Sequence, residues 1–193
     1  MYSMLNTTIK EQRVSWRQAL LTSVLVVAVL LGGCAPVQEK PPASGPTNPY
    51  EDTAHPMSDD QTRAQVIEPA RQIVAAANLD GVSGAFSFAS CNDQGDPPFQ
   101  GTVTLSFLIH GDPDAYFQQV RTAMIAHGWS DGAPPGQHYH GATLNKDGVA
   151  ASISFMPSDH SYGQIILDGQ CRNMGNHKGE GQWTNINDQL AAR

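Results

Sequence analysis

Thr102-Val103-Thr104-Leu105-Ser106-Phe107-Leu108-Ile109 alternates hydroxyl-bearing and apolar side chains over its first six residues. Successive side chains on a strand point to opposite faces. Val103, Leu105, Phe107 and Ile109 therefore line one face, and Thr102, Thr104 and Ser106 the other. One apolar face and one wet face describe a strand of an antiparallel sheet covered on one side only.

The flanking segments extend this reading. Upstream, Gly84–Cys91 sets Phe86 and Phe88 against Ala85 and Ser87, a second short strand. Asn92-Asp93-Gln94-Gly95-Asp96-Pro97-Pro98 is turn chemistry, so the two strands form a hairpin with a long loop. Before them, Ser58-Asp59-Asp60-Gln61 is a capping box with two acids in the first turn. Val66, Ala70, Ile73 and Ala77, with Ile67 and Val74 beside them, repeat at helical spacing. Pro69 lacks the N–H that would reach back to Gln65, which predicts a kink or restart, and Asp80-Gly81 ends the helix.

Downstream, Asp112-Pro113 supplies an N-cap and a proline at the first helical position. Phe117, Val120 and Met124, with Tyr116, Ala123 and His127, form the buried stripe of this second helix. Gly128 is its C′ residue, and Trp129 folds back onto the last turn. Tyr139–Lys146 joins Val149–Met156 through Asn145-Lys146-Asp147-Gly148, a hairpin turn signal, and Gly163–Cys171 adds a fifth strand. The order α-β-β-α-β-β-β predicts an α+β domain over 58–175. Its mainly antiparallel sheet has about five strands, with two helices packed on one face. Residues 176–193 read as a polar, Gly-rich tail in which Trp183–Leu190 adds at most a helical turn.

The whole chain has 193 residues, 40% hydrophobic and 15% charged, with a net charge of −7. This allows one domain, excludes a disordered chain, and runs against the basic balance of nucleic-acid binders. Residues 1–33 read as an export signal. Lys10, Arg13 and Arg17 make a positive n-region, and Ala19–Leu31 is an apolar run of signal length, too short to span a membrane. It ends in Leu31-Gly32-Gly33-Cys34, which is similar to the bacterial lipobox, with cleavage between Gly33 and Cys34 and lipid on the Cys34 sulfur. Cleavage removes three of the eleven bases and one of the eighteen acids, leaving 8 against 17. So acidic a domain is repelled by anionic headgroups, and two acyl chains provide the anchoring. Residues 34–57 carry six prolines among polar residues and form a semi-extended tether.

Once Cys34 carries lipid, Cys91 and Cys171 remain. Export permits a structural bridge between them. Two buried thiols or a redox pair are the other readings, the last lacking C-x-x-C spacing.

The chemical motifs are thin. Gly128-Trp129-Ser130-Asp131-Gly132 matches G-x-S-x-G, but a helix precedes the serine where a nucleophile elbow needs a strand. His138 and His140, two apart on an expected strand, share a face and could begin a metal site with His110 or His160 as a third ligand. No diagnostic spacing completes that site, so no metal or other cofactor is expected. Ser158-Asp159-His160-Ser161 has triad residue types as sequence neighbours, which rarely gives relay geometry. Asp93 and Asp96 flank Gly95 without the ligand register of a calcium loop.

Several stretches carry a resemblance: Ser90-Cys91-Asn92-Asp93-Gln94-Gly95-Asp96-Pro97-Pro98-Phe99-Gln100-Gly101-Thr102-Val103, Asp114-Ala115-Tyr116-Phe117, His127-Gly128-Trp129, Pro134-Pro135-Gly136-Gln137 and Leu167-Asp168-Gly169-Gln170-Cys171-Arg172-Asn173. With the lipobox, they resemble mycobacterial lipoproteins of the LppJ type, over roughly Asn48–Leu190. The resemblance implies a signal peptide, lipidation at Cys34 and attachment to the outer face of the plasma membrane. It brings no catalytic residue. It also implies a more His-rich tail than this one, which holds His177 alone.

The expectation is a non-catalytic, membrane-anchored envelope protein that binds or assembles with an envelope protein or small ligand. Two rivals remain. A carrier of a metal or apolar small molecule would show a cavity lined by Phe86, Phe88, Phe107 and Phe155, or convergence of His138, His140 and a third ligand. A small envelope hydrolase would place Asp93, Asp96 or His160 in a cleft beside a hydroxyl.

Overall fold

A computed structural model describes residues 52–139 and 141–191. The export signal, the Gly33-Cys34 cleavage pair, the tether through residue 51, and His140 lie outside the described residues.

The capping box forms as its residues dictate. The Ser58 hydroxyl accepts from the Gln61 backbone N–H at 3.3 Å, and the Gln61 side chain accepts from the Ser58 N–H at 2.9 Å. Helix α1 then runs Asp59–Ala76, burying Val66, Ile67, Ala70 and Ile73. It continues through Pro69 as one helix and does not restart there, because apolar residues on both sides of the proline are held on one core. It also stops short of Asp80-Gly81. Asn78 takes φ +48°, and the Leu79 N–H closes the end on the Val74 carbonyl.

Strands β1 (Ser83–Ser90) and β2 (Phe99–Leu108) form the expected hairpin. Helix α2 (Pro113–Ala126) starts at the Asp112 cap, and Trp129 folds back so that its N–H reaches the Met124 carbonyl. His127 is not in the buried stripe. It caps the exposed helix end, its Nδ1 2.9 Å from the Ala123 carbonyl oxygen. After β3 (Ser130–Asp131), strands β4 (Ala142–Lys146) and β5 (Val149–Met156) meet at Asp147-Gly148, both at positive φ as an Asp-Gly hairpin turn requires. Strand β6 (Asp159–Asp168) begins four residues earlier than the apolar run suggests, because Met156 pairs directly with Asp159. Strand β7 (Thr184–Asn185) and helix α3 (Asn187–Leu190) follow.

All pairings in the sheet are antiparallel, in the order β3-β4-β5-β6-β2-β1-β7. Among the described residues, seven strands replace the expected number of about five. The two extra ones, β3 and β7, are two residues long and occupy the edges. So short a ladder leaves no alternation to read. Among the described residues three helices replace two, the third being the single turn at Asn187–Leu190. Among the described residues, no helix is long and apolar enough to cross a membrane.

The face assignment of β2 holds. Val103, Leu105 and Phe107 are fully buried with Val66, Ile73, Val120, Met124, Ile165 and Leu167. The opposite face carries Thr143, Ser152, Ile166, Thr104 and Ala85 in register across five strands, three hydroxyl residues with two apolar ones. On that face the Thr102 hydroxyl donates to Asp168 at 2.9 Å, while burial pushes the Asp168 carboxyl up.

Helix α1 sits close on the sheet because two facing positions have no side chain. A Cβ on Gly101 would lie 2.8 Å from the Thr62 carbonyl oxygen, and one on Gly169 would lie 2.7 Å from Gln65 Oε1. That same Gln65 oxygen accepts from the Gln170 N–H, fixing helix to sheet. Cys91, just beyond β1, is bonded to Cys171, just beyond β6, with 6.0 Å between their Cα atoms. The bridge spans β2, which lies between those two strands.

Both terminal segments are held. Of the residues assigned to the tether, Met57 pairs with Asn173, its N–H donating to the Arg172 carbonyl, and Arg172 Nε donates to the His55 carbonyl. The segment after 176 does not run free as a polar tail. Ile186 and Leu190 are buried, β7 pairs with β1, and the Asn187 side chain accepts from the Gly84 N–H. Two apolar residues among many polar ones are enough to dock it.

Candidate functional site

A polar cluster forms where the first turns of α1 meet the chain beyond β6. Asn173 is clamped by reciprocal backbone bonds with Phe99, its side chain buried. From there Nδ2 donates to Asp59 Oδ1 at 2.8 Å and to the Thr62 hydroxyl at 3.2 Å, and Oδ1 accepts from the Gly175 N–H. That tight turn swings the chain back and places His177 beneath α1.

His177 is 7% exposed. Its Nδ1 lies 2.9 Å from Glu180 Oε2, and its Nε2 lies 3.2 Å from both Asp59 Oδ1 and Asn173 Oδ1. Every partner atom is a side-chain oxygen, so both ring nitrogens are engaged within the cluster. The ring stacks on Phe88, centroids 3.6 Å apart and planes 9° apart, and meets Phe99 edge-on. Arg63, one turn along α1, lays its guanidinium 4.3 Å above the Phe86 ring and 5.3 Å from Phe88. Among the described residues no oxygen accepts a hydrogen bond from Arg63. Beside these groups runs a groove of about 310 Å³, walled by Arg63, Phe88, Glu180, Gln182 and Thr184.

The Asn173 amide holds the Asp59 carboxyl below its ordinary value of 3.8, with the charges of His177 and Arg63 in support and partial burial opposing. A lowered folded-state value means that Asp59 contributes stability above about pH 4, lost as pH falls through that value. Thermal unfolding scanned from about pH 5 to about pH 2 is expected to show a smaller loss in Asp59→Asn than in the wild type. Asp52 and Asp159, also held low, act equally in both proteins. The effect is modest because the Asp59 side chain is 59% exposed.

The residues singled out in the sequence are dispersed. His138 precedes β4 in a loop, not on a strand, because Pro134, Pro135 and the positive φ of Gly136 and Gly141 delay the sheet. It lines an open groove with Asp93, Gln100, Tyr139 and the disulfide. His160, at the start of β6, packs near Phe155, about 26 Å of strand from Asp168 at the far end of β6 at about 3.3 Å per residue. Among the described residues, no group of three His, Cys, Asp or Glu could hold a metal. The Ser161 hydroxyl donates to Asp159 at 2.7 Å with no imidazole in between. Ser130 sits on an edge strand after a helix. The Asn92 side chain, bonded to the Gln94 and Asp96 N–H groups and to the Asp96 and Pro97 carbonyls, organises the loop that carries Asp93. Asp96 pairs with Lys178.

The four phenylalanines do not share a cavity. Phe107 is in the core, Phe86 floors the Arg63 groove, Phe88 stacks on His177, and Phe155 packs on Phe117. Sequence reasoning misses Arg63, Asp59 and Asn173 as a site. The one available signal is a lone histidine in a segment that reads as a tail.

Sheet, docked C-terminal strap and polar groove define a small α+β protein with an open charged site and no hydroxyl–imidazole relay among the described residues. The family model described as "Putative lipoprotein LppJ" matches residues 58–189. Proteins of that name from Mycobacterium bovis and Mycobacterium tuberculosis are 60% and 59% identical over 174 residues, covering 90% of this chain and 91% of each relative. The chain belongs to the LppJ lipoprotein family. No solved structure matches it.

Proposed function

We propose that this protein is a lipid-anchored, non-catalytic binding component of the cell envelope. Its address is the Leu31-Gly32-Gly33-Cys34 lipobox behind a basic, apolar leader, and the lipoprotein name of its relatives supports it. Two long acyl chains on Cys34 hold essentially permanently, since each buried CH₂ contributes about 0.8 kcal/mol. The observation that carries the binding role is His177. A catalytic imidazole needs a ring nitrogen open to a reacting group, and here both face fixed acceptors. The cluster builds the wall of a groove and leaves the Arg63 guanidinium facing it.

Detergent phase partitioning tests the anchor. The wild-type protein is expected in the detergent phase, and Cys34→Ser in the aqueous phase. Identical partitioning of the two would refute the anchoring.

A further inference from the structure

Arg63 is the unusual group on this surface. Arg71 pairs with Glu68, Arg121 with Asp131 and Lys178 with Asp96, while Lys146 and Arg172 donate to the carbonyls of His127 and His55. Arg63 lies over the Phe86 and Phe88 rings and acts on Asp59 through its charge, with no hydrogen bond or ion pair among the described residues, in a chain with a large excess of acids. The two rings hold the guanidinium in place by cation–π attraction, and its N–H donors are left for a planar oxyanion.

The charges around it choose among oxyanions. Asp59 and Glu180 are acids that flank His177, so two carboxylates already stand beside the single fixed positive charge of Arg63. A phosphate would add up to two negative charges beside two carboxylates, and like charges at short range disfavour it. A ligand with one carboxylate and one ammonium keeps the balance. Glu180 can receive that ammonium, because His177 engages its Oε2 and no described group donates to Oε1. The groove, about 310 Å³, is at the lower end of the roughly 300–1,000 Å³ of small-molecule sites, which suits an amino acid or dipeptide.

We propose that the groove between α1, β1 and the 177–184 strap binds a zwitterionic amino acid or short peptide, its carboxylate on Arg63 and its ammonium on Glu180. This names the ligand class for the binding role proposed above and rests on that reading.

Ligand-observed NMR on the detergent-solubilised full-length protein tests it, with alanyl-alanine as probe. Its N-acetylated form, its C-terminal amide and inorganic phosphate serve as competitors. Alanyl-alanine is expected to bind, with each capped form at least tenfold weaker and phosphate unable to displace it. Arg63→Gln is expected to weaken binding at least tenfold. Arg63→Lys, which keeps the charge and removes the planar fork, should also weaken it. Should Arg63→Gln misfold, Glu180→Gln supplies the second reading, with a selective loss for ligands bearing a free ammonium. No binding, equal binding of the capped forms, displacement by phosphate, or indifference to Arg63 would each overturn the assignment. None of these results alters detergent partitioning, so failure here is separable from failure of the anchored reading.

Discussion

Replacing Cys91 and Cys171 together by alanine is expected to lower the unfolding free energy by about 4–5 kcal/mol, a large fraction of the roughly 5–15 kcal/mol that holds a typical domain folded. The bridge closes a loop with a sequence separation of 80, and the entropy removed from the unfolded chain grows with the logarithm of that length. It also ties the end of β1 to the chain beyond β6, next to the Asn173 turn that positions His177. Denaturant midpoints of the double variant, and of the wild type under reducing conditions, should fall together. A loss below about 1 kcal/mol in both would show that the bridge contributes little.

Gly101→Ala is expected to cost about 2–3 kcal/mol, through steric displacement of α1. The new methyl would lie 2.8 Å from the Thr62 carbonyl oxygen, with Phe86 and Val66 atoms each at 3.1 Å. A backbone oxygen cannot step aside as a side-chain tip can, so the helix must lift. That shift would loosen the contact of Thr62 with Asn173 and of Arg63 with Phe86. At about 2–4 °C per kcal/mol for a domain of this size, the melting temperature falls by roughly 5–10 °C. Gly181→Ala is the control, because a Cβ there meets nothing within 4 Å and should leave the midpoint nearly unchanged. Equal melting of the two variants would refute the close-packing account.

The parts legible in the sequence are those encoded by local periodicity and local caps. Alternation from Thr102 to Phe107 specifies strand and face, Ser58 and Asp112 mark the helix starts, and Asp147-Gly148 marks a hairpin. Regions where distant contacts decide are less legible. Pattern alone starts a strand at Tyr139, beside His138, because nothing local marks a later start, although the loop with its positive φ at Gly141 runs up to Ala142. The terminal segment looks polar, since its docking depends on Ile186 and Leu190 meeting a pocket made by other elements. The site is hidden for the same reason. Asp59 and His177 are 118 positions apart, and Arg63 reads as an ordinary exposed helical base until Phe86 and Phe88 are seen beneath it.

The two-residue strands at the sheet margins have a consequence for molecules held side by side. A long bare margin offers a row of unpaired backbone groups on which a neighbouring chain can polymerise. Here β3 and β7 each offer an incoming chain two ladder positions, and by covering only part of β4 and β1 they step the margin so that it is not one long straight row. The same brevity that hides these strands from periodicity lets copies crowd laterally at high density without fusing into a continuous sheet.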